Sequence, residues 1–205
     1  MTTNPQALIR QLLPTSYGLL LKRHLYAEIP KVTGSVLIIG AGHDPHRRLL
    51  KAASTVVSTD ICDPSGILDL IADAHDLPLP DNSFDGVLAM EVFEHLHTPE
   101  RAAAEILRVL KPGGIALVSV PFMFHIHGDP MDFTRFTDHG LRRLFQDFAE
   151  VTVIPYGGRV HVVSDLITTA SKWLFPLRVF NWLWAMVPTP GSRDSASGYW
   201  IRLTA

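Results

Sequence analysis

The chain has 205 residues, of which 47% are apolar, so it is long enough to bury one ample core. Its 18 Lys and Arg and 20 Asp and Glu residues give a formal net charge of −2 without any block of like charges, which excludes nucleic acid as a first expectation for a partner. The single cysteine, Cys62, excludes a disulfide framework and a thiolate metal cage.

The first 34 residues (1–34) predict a helical cap outside the sheet of the protein. Residues 6–29 have the pattern of one or two short helices broken near Pro14, and residues 30–34 close them off. Only Arg10 precedes an apolar run that Pro14 interrupts, and no small-residue cleavage site follows it. We therefore interpret the segment as mature sequence rather than as a signal peptide.

Strand-like and helix-like segments alternate over residues 35–159, which predicts an α/β core with a mostly parallel sheet. Apolar periodicity favours helices at residues 45–53, 99–110 and 137–148, and Thr98 is the expected N-cap of the second. The strands expected from branched apolar runs are residues 35–42, 55–60, 68–72, 84–90, 115–120, 151–154 and 198–204.

A glycine turn, Gly40-Ala41-Gly42, follows the first expected strand. Such a turn lets the backbone approach a ligand closely and directs free amides at it. A dinucleotide fingerprint requires a third glycine where Pro45 stands, and the turn has no lysine for a phosphate-binding loop. On its own the motif is equally compatible with a tight strand-to-helix turn that binds nothing.

Asp60 lies twenty positions after Gly40, at the end of the second expected strand. A carboxylate at that place can accept hydrogen bonds from both hydroxyls of a ribose. The alternative is a turn aspartate ahead of Pro64. The spacing from the glycine turn favours an adenosine-type ligand.

Three further motifs occur in order along the chain: residues 72–85 (ADAHDLPLPDNSFD), 91–96 (EVFEHL) and 108–114 (RVLKPGG). Together with the glycine turn and Asp60, they closely resemble the small, single-domain class I S-adenosylmethionine-dependent methyltransferases. The resemblance covers about residues 36–154. Each motif is common by itself, but their combination in this order is specific.

The resemblance implies a Rossmann-like, doubly wound sheet of seven strands with an antiparallel last strand, and S-adenosylmethionine as the cofactor. In that family the glycine turn packs against the methionine part of the cofactor, the acid after strand two binds the ribose, and the next acid binds the adenine amino group. The segment from Glu91 to His95 would lie over the methionine end. The implied cofactor-binding residues are Gly40, Ala41, Gly42, Asp60, Ile61, Asp73, Ala74 and Glu91.

The chain departs from the family pattern at two positions. Ile38 occupies the position where the family usually has an acid that organises the methionine ammonium. Asp44 occupies the position of the third glycine in the methyltransferase pattern, which differs from that of the dinucleotide fingerprint. Glu91 and Asp44 are the candidates to replace the missing acid.

Two other function classes are weighed against methyl transfer. A nucleotide-sugar or NAD-dependent enzyme on the same sheet would need the third glycine or a Tyr-x-x-x-Lys pair, and the chain has neither. A catalytically degenerate fold that serves as a binding or interaction module is the second alternative. Asp60 and Asp73 argue against such loss, whereas Ile38 argues for it.

The loop at residues 121–137 follows strand five, at the edge where such sheets bind substrates. It resembles a loop of one branch of these methyltransferases, in which a histidine precedes a Pro-x-Asp-aromatic-x-Arg-aromatic-Thr run. Methyl transfer is an in-line displacement, and a hydroxyl acceptor benefits from a base that titrates near neutrality. The candidate catalytic residues are therefore His127, His125 and Asp132.

Two other interpretations apply to this loop. Asp132 and Arg135 can form a structural ion pair while the histidines only line the loop. His125, His127 and Asp129 also have spacing suited to a metal, but loops often carry such sets without one, so we expect no metal.

Residues 160–190 form a Trp-rich apolar insertion, and residues 191–205 supply a linker and the last strand of the core. The segment from Val160 to Val187 suits a lid, a homodimer face, or a peripheral membrane contact with a lipid-like acceptor. No run of 18 uncharged apolar residues is present. We expect a cytoplasmic methyltransferase whose acceptor is a small molecule or a lipid- or glycan-linked intermediate.

Overall fold

The computed structural model describes residues 13–127, 131–187 and 194–205, and these form one seven-stranded sheet in the order β3-β2-β1-β4-β5-β7-β6. Strand β7 is antiparallel to both of its neighbours, while the pairs among β1 to β5 are parallel. The fold class expected from the sequence is confirmed. The strands are β1 Gly34–Ile39, β2 Ala53–Asp60, β3 Leu70–Ile71, β4 Phe84–Met90, β5 Leu110–Pro121, β6 Glu150–Tyr156 and β7 Gly198–Thr204.

Five α-helices lie in the described residues: α1 Ser16–Glu28, α2 Pro99–Val109, α3 Asp138–Leu144, α4 Arg159–Ala170 and α5 Asn181–Met186. Short 3-10 segments occupy Ile29–Lys31, Arg47–Leu49, Phe93–His95 and Lys172–Phe180. None of the helices in these ranges has the length and apolar character needed to cross a bilayer.

Two apolar cores cover the two faces of the sheet. Side chains alternate along β1, so Leu37 joins the core under α2 and α3 while Ile38 joins the core under α1. Both residues are at most 1% exposed. The amino-terminal cap therefore packs on one face of the sheet, as the layers of an α/β domain require.

The helix expected at residues 45–53 is wrong: only Arg47–Leu49 forms a 3-10 turn there. Arg47 is drawn back toward the sheet, because its Nε donates to Asp44 at 2.5 Å and its Nη2 to Ser58 at 2.8 Å. Strand β2 also begins early, at Ala53, and so takes the last residue of the expected helix.

Other boundaries differ for local reasons. Thr98 makes no capping hydrogen bond to α2, because its hydroxyl pairs with His97 Nδ1 at 2.7 Å. Thr137 does cap α3, where it accepts from the Gly140 N–H at 3.1 Å, but that helix ends at Leu144. Strand β5 starts at Leu110 instead of residue 115, and β3 shrinks to two residues.

The insertion folds against α1. The carboxylate of Asp165 on α4 accepts the backbone N–H groups of Ser16 at 2.7 Å and Tyr17 at 2.8 Å. The Asn181 side chain donates to the Pro14 carbonyl at 2.9 Å. These buried contacts fix α4 and α5 to the beginning of α1.

Candidate cofactor and acceptor site

A cleft of about 390 Å³ opens where β1, β2 and β4 end. Carboxyl ends of parallel strands are the usual ligand edge of an open α/β sheet. Of the eight residues that the resemblance implies, seven line this cleft: Gly40, Gly42, Asp60, Ile61, Asp73, Ala74 and Glu91. Ala41 does not line it and is 3% exposed.

The glycine turn has the left-handed backbone that its sequence predicts. Gly40 has φ +65°, and a Cβ there would lie 2.4 Å from Val92 Cγ2. Gly42 has φ +55°, and a Cβ there would meet nothing within 4 Å. The first glycine is thus required by packing, whereas the second borders open space in the cleft.

Asp60 is tied to this turn by both of its carboxylate oxygens. Oδ2 accepts from the Gly42 N–H at 2.9 Å, and Oδ1 accepts from the Ile61 N–H at 2.7 Å. A carboxylate has about four lone-pair positions, so two remain for donors from a ligand.

Asp73 lies just beyond β3 and is linked to a histidine that sequence analysis missed. Its Oδ1 accepts from the His75 backbone N–H at 2.9 Å and lies 2.6 Å from His75 Nδ1. The backbone hydrogen bond from His75 lowers the pKa of Asp73. The ring of His75 stacks on His97 at 4.2 Å between centroids, and both rings line the cleft.

Glu91 follows β4 and has φ +57°, a conformation rare for a residue other than glycine. Its carboxylate accepts from the Tyr17 hydroxyl and from Ser119 Oγ, the latter at 2.7 Å. Burial raises the pKa of Glu91. Such a conformation is costly and is often found where a site holds a side chain in place.

Glu91 and Asp44, the two candidates to replace the missing acid, lie in different surroundings. Ile38 is 1% exposed and buried under α1, so no ligand reaches it. Asp44 is held by Arg47 at 2.5 Å and is not among the residues that line the cleft. Glu91 is the one of the two candidates that lines it.

Asp132 organises the loop that follows β5. It forms a two-pronged ion pair with Arg135, in which Nη2 lies 2.5 Å from Oδ2, and its Oδ2 also accepts the His127 backbone N–H at 3.0 Å. Its side chain is 2% exposed. The structural ion pair that sequence analysis weighed is therefore present.

The two loop histidines have different surroundings. His127 Nδ1 lies 3.5 Å from Asp132 Oδ2, and its Nε2 lies 3.8 Å from Glu94 Oε1. The ring of His125 instead packs beside Phe124, with 4.3 Å between centroids. Neither histidine lines the cofactor cleft. Burial lowers the pKa of both, which favours the neutral imidazole near pH 7. Asp129 lies outside the described residues.

Glu94 belongs to the EVFEHL motif, but no feature of the sequence indicates a chemical role for it. It is 0% exposed, and neither of its carboxylate oxygens has a hydrogen-bond donor. Burial raises the pKa of Glu94 to about 9. The Nε2 atom of His95 lies 3.7 Å from its Oε1.

Comparison with known proteins agrees with this geometry. Residues 37–118 match the family described as methyltransferase domain. An uncharacterized methyltransferase of Mycolicibacterium paratuberculosis is 29% identical over 165 residues, covering 75% of this chain and 62% of that protein. A probable S-adenosylmethionine-dependent methyltransferase of Mycolicibacterium smegmatis is 50% identical over 46 residues, which is 22% of this chain and 18% of that protein. The chain spans less than two thirds of the length of these curated relatives.

Solved structures share the fold. An S-adenosylmethionine-dependent methyltransferase of Archaeoglobus fulgidus superposes with a TM-score of 0.64 at 17% identity, over 98% of this chain and 100% of that one. A methyltransferase of Thermotoga maritima, described as a possible histamine N-methyltransferase, gives 0.63 at 19% identity, over 98% of this chain and 95% of that one. The resemblance drawn from the sequence is confirmed, together with S-adenosylmethionine as the cofactor of this family.

Proposed function

We propose that this chain, whose residues 37–118 form a methyltransferase domain, transfers a methyl group from S-adenosylmethionine to a small-molecule or lipid- or glycan-linked acceptor. The observation that carries the proposal is the cleft itself. Seven residues implied by the family resemblance, from four separate segments, line one cavity at the carboxyl edge of the sheet. The dispersion of these residues along the chain makes their convergence informative.

Each residue group has a proposed role in cofactor binding. Gly42 leaves room for the methionine part, and Asp60 binds the ribose hydroxyls. Asp73 and the Ala74 amide bind the adenine, whose ring the Ile61 side chain covers. These roles use the free lone pairs of the two carboxylates.

We assign the methionine ammonium to Glu91. Its carboxylate lines the cleft, and Tyr17 and Ser119 fix its orientation through hydrogen bonds. An ionised carboxylate is a strong acceptor for an ammonium group. Glu91 would thus replace the acid that the family usually has at the position of Ile38.

Methyl transfer requires the protein mainly to align the acceptor atom with the methyl group. The methyl carbon bonds to the acceptor atom as its bond to sulfur breaks, and the electron pair of that bond stays on the sulfur. An oxygen acceptor must also lose its proton. A neutral His127 can take that proton directly or can hold a cation that lowers the pKa of the acceptor. Asp132 would orient His127, and we assign no chemical role to His125, whose ring centroid lies 6.5 Å from that of His127.

Calorimetric titration with S-adenosylhomocysteine tests the proposed function. We expect one binding site per chain. A folded protein that binds neither S-adenosylhomocysteine nor S-adenosylmethionine would contradict the proposal and favour the degenerate binding module. Isotope-labelled methyl transfer from S-adenosylmethionine to pooled small-molecule and lipid extracts would then narrow the acceptor class.

We also propose that the insertion contacts an anionic membrane surface. An apolar groove of about 480 Å³ runs between α4 and the segment that follows it, lined by Val163, Ile167 and Phe180 among others. The basic Arg159 lines this groove, and the segment Lys172–Phe180 that follows α4 carries the basic Arg178. The acidic Asp165 is 2% exposed and engaged with α1. Aromatic and basic side chains together are typical of helices at a membrane interface. A second copy would bring like charges together, so it is the less favoured occupant.

A further inference from the structure

We propose that Glu94, His95 and His127 bind a divalent transition-metal cation beside the methionine end of the cofactor cleft. One ligand atom from each residue lies within 4.8 Å of the other two. From the sequence, the possible metal ligands are His125, His127 and Asp129, and no metal is expected there. The fold instead brings His127 to two residues that precede it by more than thirty positions.

The tautomer of His95 leaves a lone pair for a cation. Its Nδ1 lies 2.5 Å from the Met131 carbonyl oxygen. A carbonyl only accepts, so Nδ1 carries the hydrogen, and the neutral ring has its lone pair on Nε2. That atom is the one that lies 3.7 Å from Glu94 Oε1.

His127 has the orienting carboxylate that metal-binding histidines usually have. Its Nδ1 faces Asp132 Oδ2 at 3.5 Å, and the carboxylate of Asp132 is itself fixed by Arg135. Nδ1 makes no hydrogen bond at this distance, but the negative charge beside it favours the hydrogen on that atom and the lone pair on Nε2. The lone-pair nitrogens of both histidines therefore face the same carboxylate, because His127 Nε2 lies 3.8 Å from Glu94 Oε1.

Glu94 supplies the independent sign that a ligand belongs here. Its side chain is 0% exposed, yet both carboxylate oxygens lack a donor. A buried polar group without a partner is costly and uncommon in native proteins. A cation between Glu94 and the two imidazoles would satisfy the carboxylate. The separations of 3.7 and 3.8 Å are close to the spacing of about 3–4 Å between ligands bonded at about 2.0–2.2 Å to one ion.

The ligand set indicates the kind of cation. Two imidazoles and one carboxylate suit Zn²⁺ and first-row transition ions better than Mg²⁺ or Ca²⁺, which prefer all-oxygen sites. Three protein ligands leave coordination positions open, as in catalytic sites. In a step that rests on the proposed function, an acceptor oxygen bound there would release its proton to water more readily and then attack the methyl carbon.

Binding of Co²⁺ and Zn²⁺ to the whole chain tests the site without any acceptor. We expect one equivalent of Co²⁺ to give the visible absorption of cobalt bound by imidazole nitrogen, and Zn²⁺ to displace it. The substitutions Glu94→Gln, His95→Gln and His127→Gln should each weaken Zn²⁺ binding by ten-fold or more. Asp132→Asn, which removes the charge that pairs with Arg135 and faces His127, should weaken it by about ten-fold.

His139→Gln is the matched control, because His139 is exposed on α3, outside the ligand group. It should bind both ions like the wild-type protein. Circular dichroism confirms that each variant is folded, and Glu94→Gln, which preserves shape, keeps the test valid if a histidine variant unfolds. A folded wild-type protein that binds neither ion, or ligand variants that bind Zn²⁺ as well as His139→Gln does, would overturn the metal site.

Titration of the same samples with S-adenosylhomocysteine separates this inference from the proposed function. Metal binding without cofactor binding would overturn the proposed function and leave the metal site intact. Cofactor binding without metal binding would overturn the metal site alone.

Discussion

The hydroxyl of Tyr17 donates a hydrogen bond to the carboxylate of Glu91, and this contact joins helix α1 to the cofactor cleft across 74 positions of sequence. The Tyr17 ring is 6% exposed and packs against Phe124, with 4.8 Å between centroids. Phe124 belongs to the loop that follows β5. The amino-terminal helix therefore contacts both Glu91 of the cleft and the loop that follows β5.

The substitution Tyr17→Phe should weaken binding of S-adenosylhomocysteine. The phenyl ring keeps the packing against Phe124, but Glu91 loses the donor that orients it toward the proposed ammonium position. One hydrogen bond to a charged group contributes about 1.5–3 kcal/mol, so we expect a loss of about ten-fold in affinity by calorimetry. Tyr26→Phe is the control, because Tyr26 is 57% exposed on the same helix. Equal affinity in the two variants would show that Tyr17 does not position Glu91.

The substitution Asp60→Ala should weaken S-adenosylhomocysteine binding by ten-fold or more. Loss of charge-assisted hydrogen bonds to the ribose costs about 1.5–3 kcal/mol, and the turn also loses the contact to the Gly42 N–H at 2.9 Å. The exposed Asp147, which follows the end of α3 and does not line the cleft, provides the control Asp147→Ala. A folded Asp60→Ala protein with wild-type affinity would remove Asp60 from the site.

The two glycines of the turn should respond differently to alanine. Gly40→Ala should lower the melting temperature, because the new methyl group would clash with Val92 at 2.4 Å and the backbone is left-handed. Val92→Ala in the same chain should restore part of that loss.

The substitution Gly42→Ala adds a methyl group that meets no atom within 4 Å, so it should cost only the backbone strain of about 1–2 kcal/mol. That methyl group enters the cleft. Calorimetry should therefore show weaker cofactor binding for a protein that still melts cooperatively, and unchanged binding would argue against a ligand above Gly42.

Local patterns sufficed for the parts of this fold that depend on local physics. Strand β4 has the expected bounds, Phe84–Met90, because a branched apolar run between two turns has few other stable arrangements. Seven of the residues that line the cleft were also expected, since a resemblance over ordered motifs places them at the ends of neighbouring strands.

Long-range contacts decided the parts that were not expected. The helix at residues 45–53 does not form because Arg47 finds partners in Asp44 and Ser58, and no periodicity reveals such a competition. Tyr17 enters the site from a segment whose sequence shows only an amphipathic helix. Glu94 lies in the 3-10 turn Phe93–His95, and its backbone carbonyl accepts the N–H of Phe133 from the loop after β5 at 2.7 Å. Its carboxylate is 0% exposed, which no local sequence pattern reveals.

The substitution Asp165→Asn should destabilise the protein. An asparagine at this 2% exposed position can present only one oxygen to the two N–H groups of Ser16 and Tyr17, so one buried donor loses its partner. We expect a loss of about 1–3 kcal/mol in the free energy of unfolding, measured with urea. Asp147→Asn, at an exposed position, should leave the unfolding midpoint unchanged. If both variants unfold at the same urea concentration, Asp165 does not stabilise the start of α1.

The substitution Leu183→Asp should reduce sedimentation of the protein with vesicles that contain phosphatidylserine. Leu183, Trp173 and Met186 of the insertion are 61%, 91% and 73% exposed, so three large apolar side chains of one short segment face solvent. Burying one leucine side chain contributes about 1.5–3 kcal/mol, so a charge in its place should weaken vesicle binding by about ten-fold or more. Ile67→Asp changes a residue of similar exposure, 50%, outside the insertion and should have no effect.

The proposed membrane contact also predicts an effect of charge. Arg159→Glu should weaken binding to anionic vesicles and leave weak binding to neutral ones unchanged, because each basic residue near such a surface contributes about 1 kcal/mol. Added salt should have the same effect as the substitution, since it screens this attraction. Light scattering tests the alternative that a second copy of the chain covers the insertion. That alternative holds if the wild-type protein binds no vesicles and has a doubled mass that Leu183→Asp abolishes. Trp fluorescence that shifts to the blue only with anionic vesicles would place the aromatic side chains in the bilayer interface.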